Sequence, residues 1–209
     1  MLKIGLTGSI AVGKTYVCEV FAGLGCFVLD ADITARDVVK PDTKGLIQIV
    51  ENFGEGILQP NGELDRVKLG SIVFSDETKR QLLNEIVHPL VIDAQNIWLE
   101  EKESANPEGI AIVDAALMVE SGGFERFEKL IVVWCDSDIQ LQRLMLRNNL
   151  NKAEALKRIN SQMPQEEKKS YADFLIDTSE GFEATRIQTK EVFEQLLGIR
   201  KQADDNGNS

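Results

Sequence analysis

Gly8-Ser9-Ile10-Ala11-Val12-Gly13-Lys14-Thr15 is a complete G-x-x-x-x-G-K-T. Ahead of it Leu2, Ile4 and Leu6 alternate with small or polar residues as a short first strand. After it Tyr16-Val-Cys-Glu-Val-Phe-Ala-Gly-Leu opens a helix. A glycine-rich turn between a strand and a helix N-terminus aims several backbone N–H groups at one point, where the positive end of the helix dipole also lies. Phosphate is the natural occupant. Lys14 then reaches the outer phosphates as a point charge, and the Thr15 hydroxyl takes a place in a Mg²⁺ shell.

Four further apolar runs flanked by polar residues follow the pattern of strands buried on both faces. They are Cys26-Phe-Val-Leu ending at Asp30-Ala-Asp, Ile110-Ala-Ile-Val-Asp-Ala-Ala, Leu130-Ile-Val-Val-Trp-Cys and Phe174-Leu-Ile-Asp. Helical patterns separate them, so the economical architecture is α/β: a P-loop-type parallel sheet of about five strands, helices on both faces, ligands at the carboxyl ends of the strands. The gap between the second and third strands is too long for one crossover. Residues 36 to about 107 carry turn signals at Gly54, Gly56 and Pro60-Asn-Gly62, then helical stretches from Asp65 to Phe74 and from about Asp76 to Glu103, the latter containing His88-Pro89. This reads as an inserted helical subdomain. A second helical excursion, about residues 148 to 171, carries Lys152, Lys157, Arg158, Lys168 and Lys169 just after Arg147; it reads either as a solvated charged helix pair or, the preferred expectation, as a lid over phosphates. The core of the single domain is then about residues 1–35, 108–147 and 172–198, and residues 199–209 are expected to be a frayed polar tail.

A chain of 209 residues, 43% hydrophobic and 27% charged, can bury a sizeable core. Its net charge of −11 excludes a broad electrostatic footprint for nucleic acid or an anionic membrane. No uncharged apolar run approaches the ~20 residues needed to span a bilayer, and Met1 leads straight into the first strand with no room for a signal peptide. Cys18, Cys26 and Cys135 lack C-x-x-C spacing and sit in apolar segments, as reduced thiols without a metal. The expectation is a cytoplasmic protein. No signal for an oligomeric state is present.

Asp30 and Asp32 close the second strand, expected beside the first strand's loop. A carboxylate near a γ-phosphate can act as general base toward an attacking hydroxyl or hold Mg²⁺ through water. If the strand continues, both point the same way. Equally, Asp32 can cap the helix that begins at Ile33. Asp114, at the end of the third strand, resembles a Walker B position near Mg²⁺.

Together these segments resemble the dephospho-CoA kinase family. The matching residues are Ile4-Gly-Leu-Thr-Gly8 through Gly13-Lys-Thr15, Leu29-Asp-Ala-Asp-Ile-Thr-Ala-Arg36, Asn52-Phe-Gly54, Gly62-Glu-Leu-Asp-Arg66 and Ile72-Val-Phe74. Further on come His88-Pro89, Leu117-Met-Val-Glu120, Gln140-Leu-Gln-Arg-Leu144 with Arg147, Arg158-Ile-Asn-Ser-Gln162 and Tyr171-Ala-Asp173. The phosphate loop alone is widely shared; D-A-D-x-x-A-R, G-x-L-D-R and H-P in this order are highly specific. The resemblance implies ATP-dependent phosphorylation of the ribose 3′-hydroxyl of dephospho-CoA, the last step of coenzyme A synthesis, with Mg²⁺ and with small molecules as the partners. It implies Asp32 as general base, with Lys14 also catalytic. ATP then falls to Gly8, Ala11, Val12, Gly13, Lys14, Thr15, Tyr16, Arg143 and Arg147, and the acceptor to Asp32, Arg36, Arg66, His88 and Arg158, with Thr15 and Asp114 at the metal.

Each of these residues also has a bland alternative. His88, the only histidine, precedes a proline and could shape a helix start, and Arg66 could pair with Asp65 or Glu63. The family loop usually reads G-G-I-G-S-G-K, whereas this chain has Ser9, Ala11 and Val12, which keep the turn provided they avoid positive φ. The usual Pro of P-L-L-x-E is Ala116. The usual Asn after the last strand is Thr178, which bears on the adenine contact. A nucleoside monophosphate kinase is the nearest rival enzyme. A GTPase-type switch is the other, since Asp42-Thr-Lys-Gly45 matches D-x-x-G and Asn151-Lys-Ala-Glu154 nearly matches N-K-x-D, although neither follows a predicted strand.

Overall fold

The computed structural model describes the backbone of residues 1–207 and the side chains of residues 1–202; the expectation of a frayed tail falls, over residues 203–209, outside the described side chains. The chain divides into two compact units, Met1–Leu29 with Glu101–Ser209, and Asp30–Glu100.

The first unit is built on a five-stranded sheet of order β2-β3-β1-β4-β5. Its strands are β1 (Leu2–Thr7), β2 (Phe27–Asp30), β3 (Ile110–Asp114), β4 (Lys129–Trp134) and β5 (Phe174–Asp177). The β3·β1, β1·β4 and β4·β5 ladders are parallel. Val, Ile and Leu fill the central strands because both faces are covered: Ile4, Leu6, Ile112, Val113 and Ile131 are all fully buried. Helices α1 (Lys14–Gly23), α6 (Ser137–Asn148), α7 (Lys152–Ile159), α8 (Gln165–Lys169) and α9 (Gly181–Gly207) complete this unit. Phe21 and Val17 of α1 and Val192 and Leu196 of α9 pack into one core with the strands. The strand order corrects one expectation: β3, not β2, lies beside β1, so Asp114 is in register with Leu6.

The frayed tail expected from residue 199 begins instead as the last part of α9. Ile199 packs against the core and Arg200 pairs with Glu108.

The second unit is helical: α2 (Ala31–Asp37), α3 (Lys44–Phe53), α4 (Arg66–Ser75) and α5 (Glu77–Ala105), the last extending beyond the unit. Its own core gathers Val39, Leu46, Ile49, Ile57, Leu64 and Leu69. Thr43 caps α3 and Asp65 caps α4 by accepting from Leu46 N–H and Lys68 N–H, so polar residues at the turns set where each helix begins. Pro89 lies inside α5, so His88 stands within a helix and shapes no helix start. Among the described residues no helix is long and apolar enough to cross a membrane.

Candidate active site

The loop between β1 and α1 has its shape imposed at three points. At Gly8 a Cβ would lie 2.4 Å from the Val133 carbonyl oxygen, so any side chain is barred. Gly13 takes φ 94° and serves as N-cap of α1 without any side-chain cap, and no acidic residue occupies the first turn. The helix therefore offers its first N–H groups and its dipole to an anion. Ala11 takes φ 63°. The condition that the loop's substituted residues avoid positive φ fails there, because the fixed strand and helix ends leave the turn no other path.

Lys14 Nζ donates to Asp114 Oδ1 at 2.5 Å, with both side chains largely buried. Cys18 Sγ donates to the second oxygen, Oδ2, at 3.5 Å. Cys18 is thus half-buried beside this pair, whereas Cys26 and Cys135 are core thiols. Burial pushes the Cys26 thiol up to about 12 and raises Cys135 as well. Thr15 is exposed at the start of α1, and the Tyr16 ring packs edge-on against Phe182 at 4.7 Å.

Arg143 of α6 grips Thr178 twice, Nη1 to the hydroxyl at 2.8 Å and Nη2 to the carbonyl at 2.7 Å. The same hydroxyl donates to the Val12 carbonyl at 2.6 Å. A threonine hydroxyl has one proton and two acceptor sites, so it receives from Arg143 while it donates to the loop. Thr178, met in the sequence only as a departure from the family pattern, is a brace between Arg143 and the phosphate loop.

The segment expected to be a lid divides in two. Arg147, Lys152, Lys157 and Arg158 are exposed. Lys168 is not: it is fully buried, donates to the Ala116 carbonyl at 2.8 Å and pairs with Glu120 at 3.0 Å, and burial lowers its pKa. Lys169 pairs with Glu166 and lies 4.0 Å over the Trp134 ring. These two cations belong to the framework, a role that charge alone in the sequence did not reveal. Asn151 and Glu154 form a reciprocal capping box at the start of α7, which accounts for the near match to N-K-x-D by helix chemistry.

In the unit Asp30–Glu100, the second strand stops at Asp30, and the two aspartates separate. Asp30 Oδ1 accepts from the N–H groups of Asp32 and Ile33 and is the cap of α2. Asp32 is not the cap, contrary to the alternative drawn from the sequence. It is exposed, one helical turn before Arg36, on the same face of α2. Arg66 Nη2 donates to the Arg36 carbonyl at 3.3 Å, while Asp65 pairs with Lys68. Both arginines line a cavity of about 330 Å³ together with Lys40, Glu63 and Asp65. His88 is exposed on α5 and does not line it.

The donor set suits Mg²⁺. Thr15 and Asp114 supply hard oxygen, and no group of three His, Cys, Asp or Glu side chains among the described residues forms a metal cage. Magnesium commonly takes one or two protein oxygens and leaves the rest to phosphates and water.

The family model for dephospho-CoA kinase matches residues 2–183. A dephospho-CoA kinase of Listeria innocua is 46% identical over 196 residues, covering 93% of this chain and 96% of the relative. Among solved structures, TT1252 from Thermus thermophilus superposes with a TM-score of 0.78 at 28% identity, covering 93% of this chain and 97% of that one. A dephospho-CoA kinase from Campylobacter jejuni does so with 0.62 at 26% identity, covering 93% and 96%. With a model match spanning most of the chain and a relative this similar over nearly its full length, the chain belongs to the dephospho-CoA kinase family.

Proposed function

We propose that this chain performs the family's reaction, transfer of the ATP γ-phosphoryl group to the 3′-hydroxyl of dephospho-CoA, with Asp32 as the general base. The observation that carries the assignment is the separation of the aspartates: the Asp30 carboxylate caps α2, whereas the Asp32 carboxylate accepts no hydrogen bond and makes no ion pair among the described residues. Asp32 takes the proton of the attacking hydroxyl. The new O–P bond forms as the bridging O–P bond to ADP breaks, and ADP leaves with its electron pair. Phosphoryl transfer asks the protein mainly for positioning and charge stabilisation. The loop from Gly8 to Thr15 cradles the phosphates, Lys14 neutralises the transferring group, and Arg143 and Arg147 add cations on the ATP side. Arg36 and Arg66 receive the acceptor, His88 and Arg158 are assigned to it by their match to the family's motifs alone, and residues 148–171 act as a lid through their exposed cations.

Mg²⁺, which we assign to Thr15 and Asp114, supplies charge neutralisation on the phosphate oxygens when bound. The Asp114 carboxylate also fixes Lys14, which keeps the ammonium aimed. Cys18, Cys26 and Cys135 are thiols outside any disulfide, which accords with the reducing cytoplasm as the site of action.

Asp32→Asn and Asp30→Asn test this reading as a pair. Asn caps helices about as well as Asp, so Asp30→Asn should leave rate and stability near the parent's. Asp32→Asn should lower kcat by roughly 10²-fold or more at unchanged ATP affinity. Turnover of Asp32→Asn within a few-fold of the parent at saturating Mg²⁺ would remove Asp32 from the role.

A further inference from the structure

The peptide of Ile10, in the middle of the phosphate loop, is held from both sides by glutamine side chains. Its N–H donates to Gln162 Oε1 at 2.7 Å. Its carbonyl accepts from Gln140 Nε2 at 2.8 Å. Gln140 Oε1 accepts from Gln165 Nε2 at 2.9 Å, and Gln165 Oε1 accepts from the Cys135 N–H at 3.1 Å. Gln140 is 2% exposed.

The orientation of every amide in this chain follows from its ends. The Cys135 N–H can only donate, so Gln165 must present oxygen to it and nitrogen to Gln140. Gln140 must then present nitrogen to Ile10, where a carbonyl waits. At the other side the Ile10 N–H can only donate, so Gln162 must present oxygen. No amide can flip without opposing two donors or two acceptors. The arrangement has a reason in the loop itself: Ala11 takes a positive φ, and the Ser9 hydroxyl is buried without a partner. A loop with such strained and unsatisfied neighbours needs an external hold to keep one shape.

Gln162 follows α7, and Gln165 opens α8, so two of the three glutamines belong to the segment assigned as the lid. We propose that Gln162, supported by the Gln140–Gln165 pair, is a positioning residue that couples this segment to the phosphate loop and thereby sets the enzyme's hold on ATP. The inference rests on the loop being the ATP site. It extends that reading by naming the residues that transmit the segment's position to it.

The test is Gln162→Met in the full chain, with Gln162→Glu alongside, following kinetics and the Ile10 amide proton by ¹⁵N-isoleucine NMR. Met keeps length but accepts no hydrogen bond of normal strength, and Glu keeps an oxygen acceptor. For Gln162→Met, kcat/KM for ATP should fall roughly tenfold, the loss expected for one hydrogen bond to a partly buried N–H. KM for dephospho-CoA should stay within about twofold, since the acceptor makes no use of this hydrogen bond. The Ile10 amide proton should move upfield and exchange faster in Gln162→Met, and stay near the parent position in Gln162→Glu. Unchanged ATP kinetics in Gln162→Met would overturn the proposal, as would equal losses toward both substrates, which mark a merely structural residue. Lys14→Ala run in parallel keeps the premise separate: if it retains parental turnover, the loop reading has failed rather than the coupling.

Discussion

Ala11 departs from the residue usual in the family's loop and takes a left-handed φ. Left-handed φ costs a residue with a Cβ about 1–2 kcal/mol, and Ala11 holds φ 63° because the ends of β1 and α1 and the closeness of Gly8 to Val133 define the turn. Ala11→Gly removes that strain while raising the entropy of the unfolded chain. The net expectation is a gain of roughly 0.5–1 kcal/mol in the denaturation free energy by urea titration. A loss of stability would mean that the Ala11 methyl contributes packing worth more than the strain. The motif made the strand–loop–helix turn that carries Lys14 and Thr15 legible in advance, because it carries its own geometry. The φ of Ala11 and the capping of α2 by Asp30 rather than by Asp32 were not legible. One is set by tertiary constraint, and the other turns on a strand ending at Asp30 rather than at Asp32.

At the scale of elements, the strands could be read to within about two residues, since central parallel strands are apolar on both faces. The helices α4 and α5 were also legible from turn signals and period. Within the lid segment, by contrast, charge misled. Lys168 reads as solvated in the sequence, yet α8 buries it against Ala116 and Glu120, partners distant in the chain. Its pKa lies below the usual 10.5 because burial outweighs the attraction of Glu120. The unfolded chain therefore binds more protons than the folded one between the lowered value and 10.5. Stability should rise with pH across that window. Lys168→Met removes this dependence, and replacing a buried ion pair by an apolar chain is often neutral or stabilising. Urea denaturation of parent and Lys168→Met at about pH 8 and about pH 10 should show the parent gaining on the variant at the higher pH. A parent that loses ground on alkalinisation would mean that the Glu120 pairing dominates instead.

The molecule as a whole carries a net charge of −11 and acts on polyphosphates, so its cations must be gathered locally. In one unit Lys14 and Arg143 are fixed by Asp114 and Thr178, and in the other Arg36 and Arg66 line a cavity. Family membership was legible from motif order, while the contacts of Thr178, Lys168 and the glutamines were not, since each is made with partners far away in the sequence. The most direct measurement of the central claim supplies the full chain with ATP and Mg²⁺ and offers dephospho-CoA, AMP and CMP in competition, with Lys14→Ala in parallel. The account predicts CoA and ADP in equal amounts, the new phosphate on the ribose 3′-oxygen, and a loss in Lys14→Ala on the order of 10²-fold or more in kcat. Faster phosphorylation of AMP or CMP than of dephospho-CoA, or parental turnover in Lys14→Ala, would contradict it.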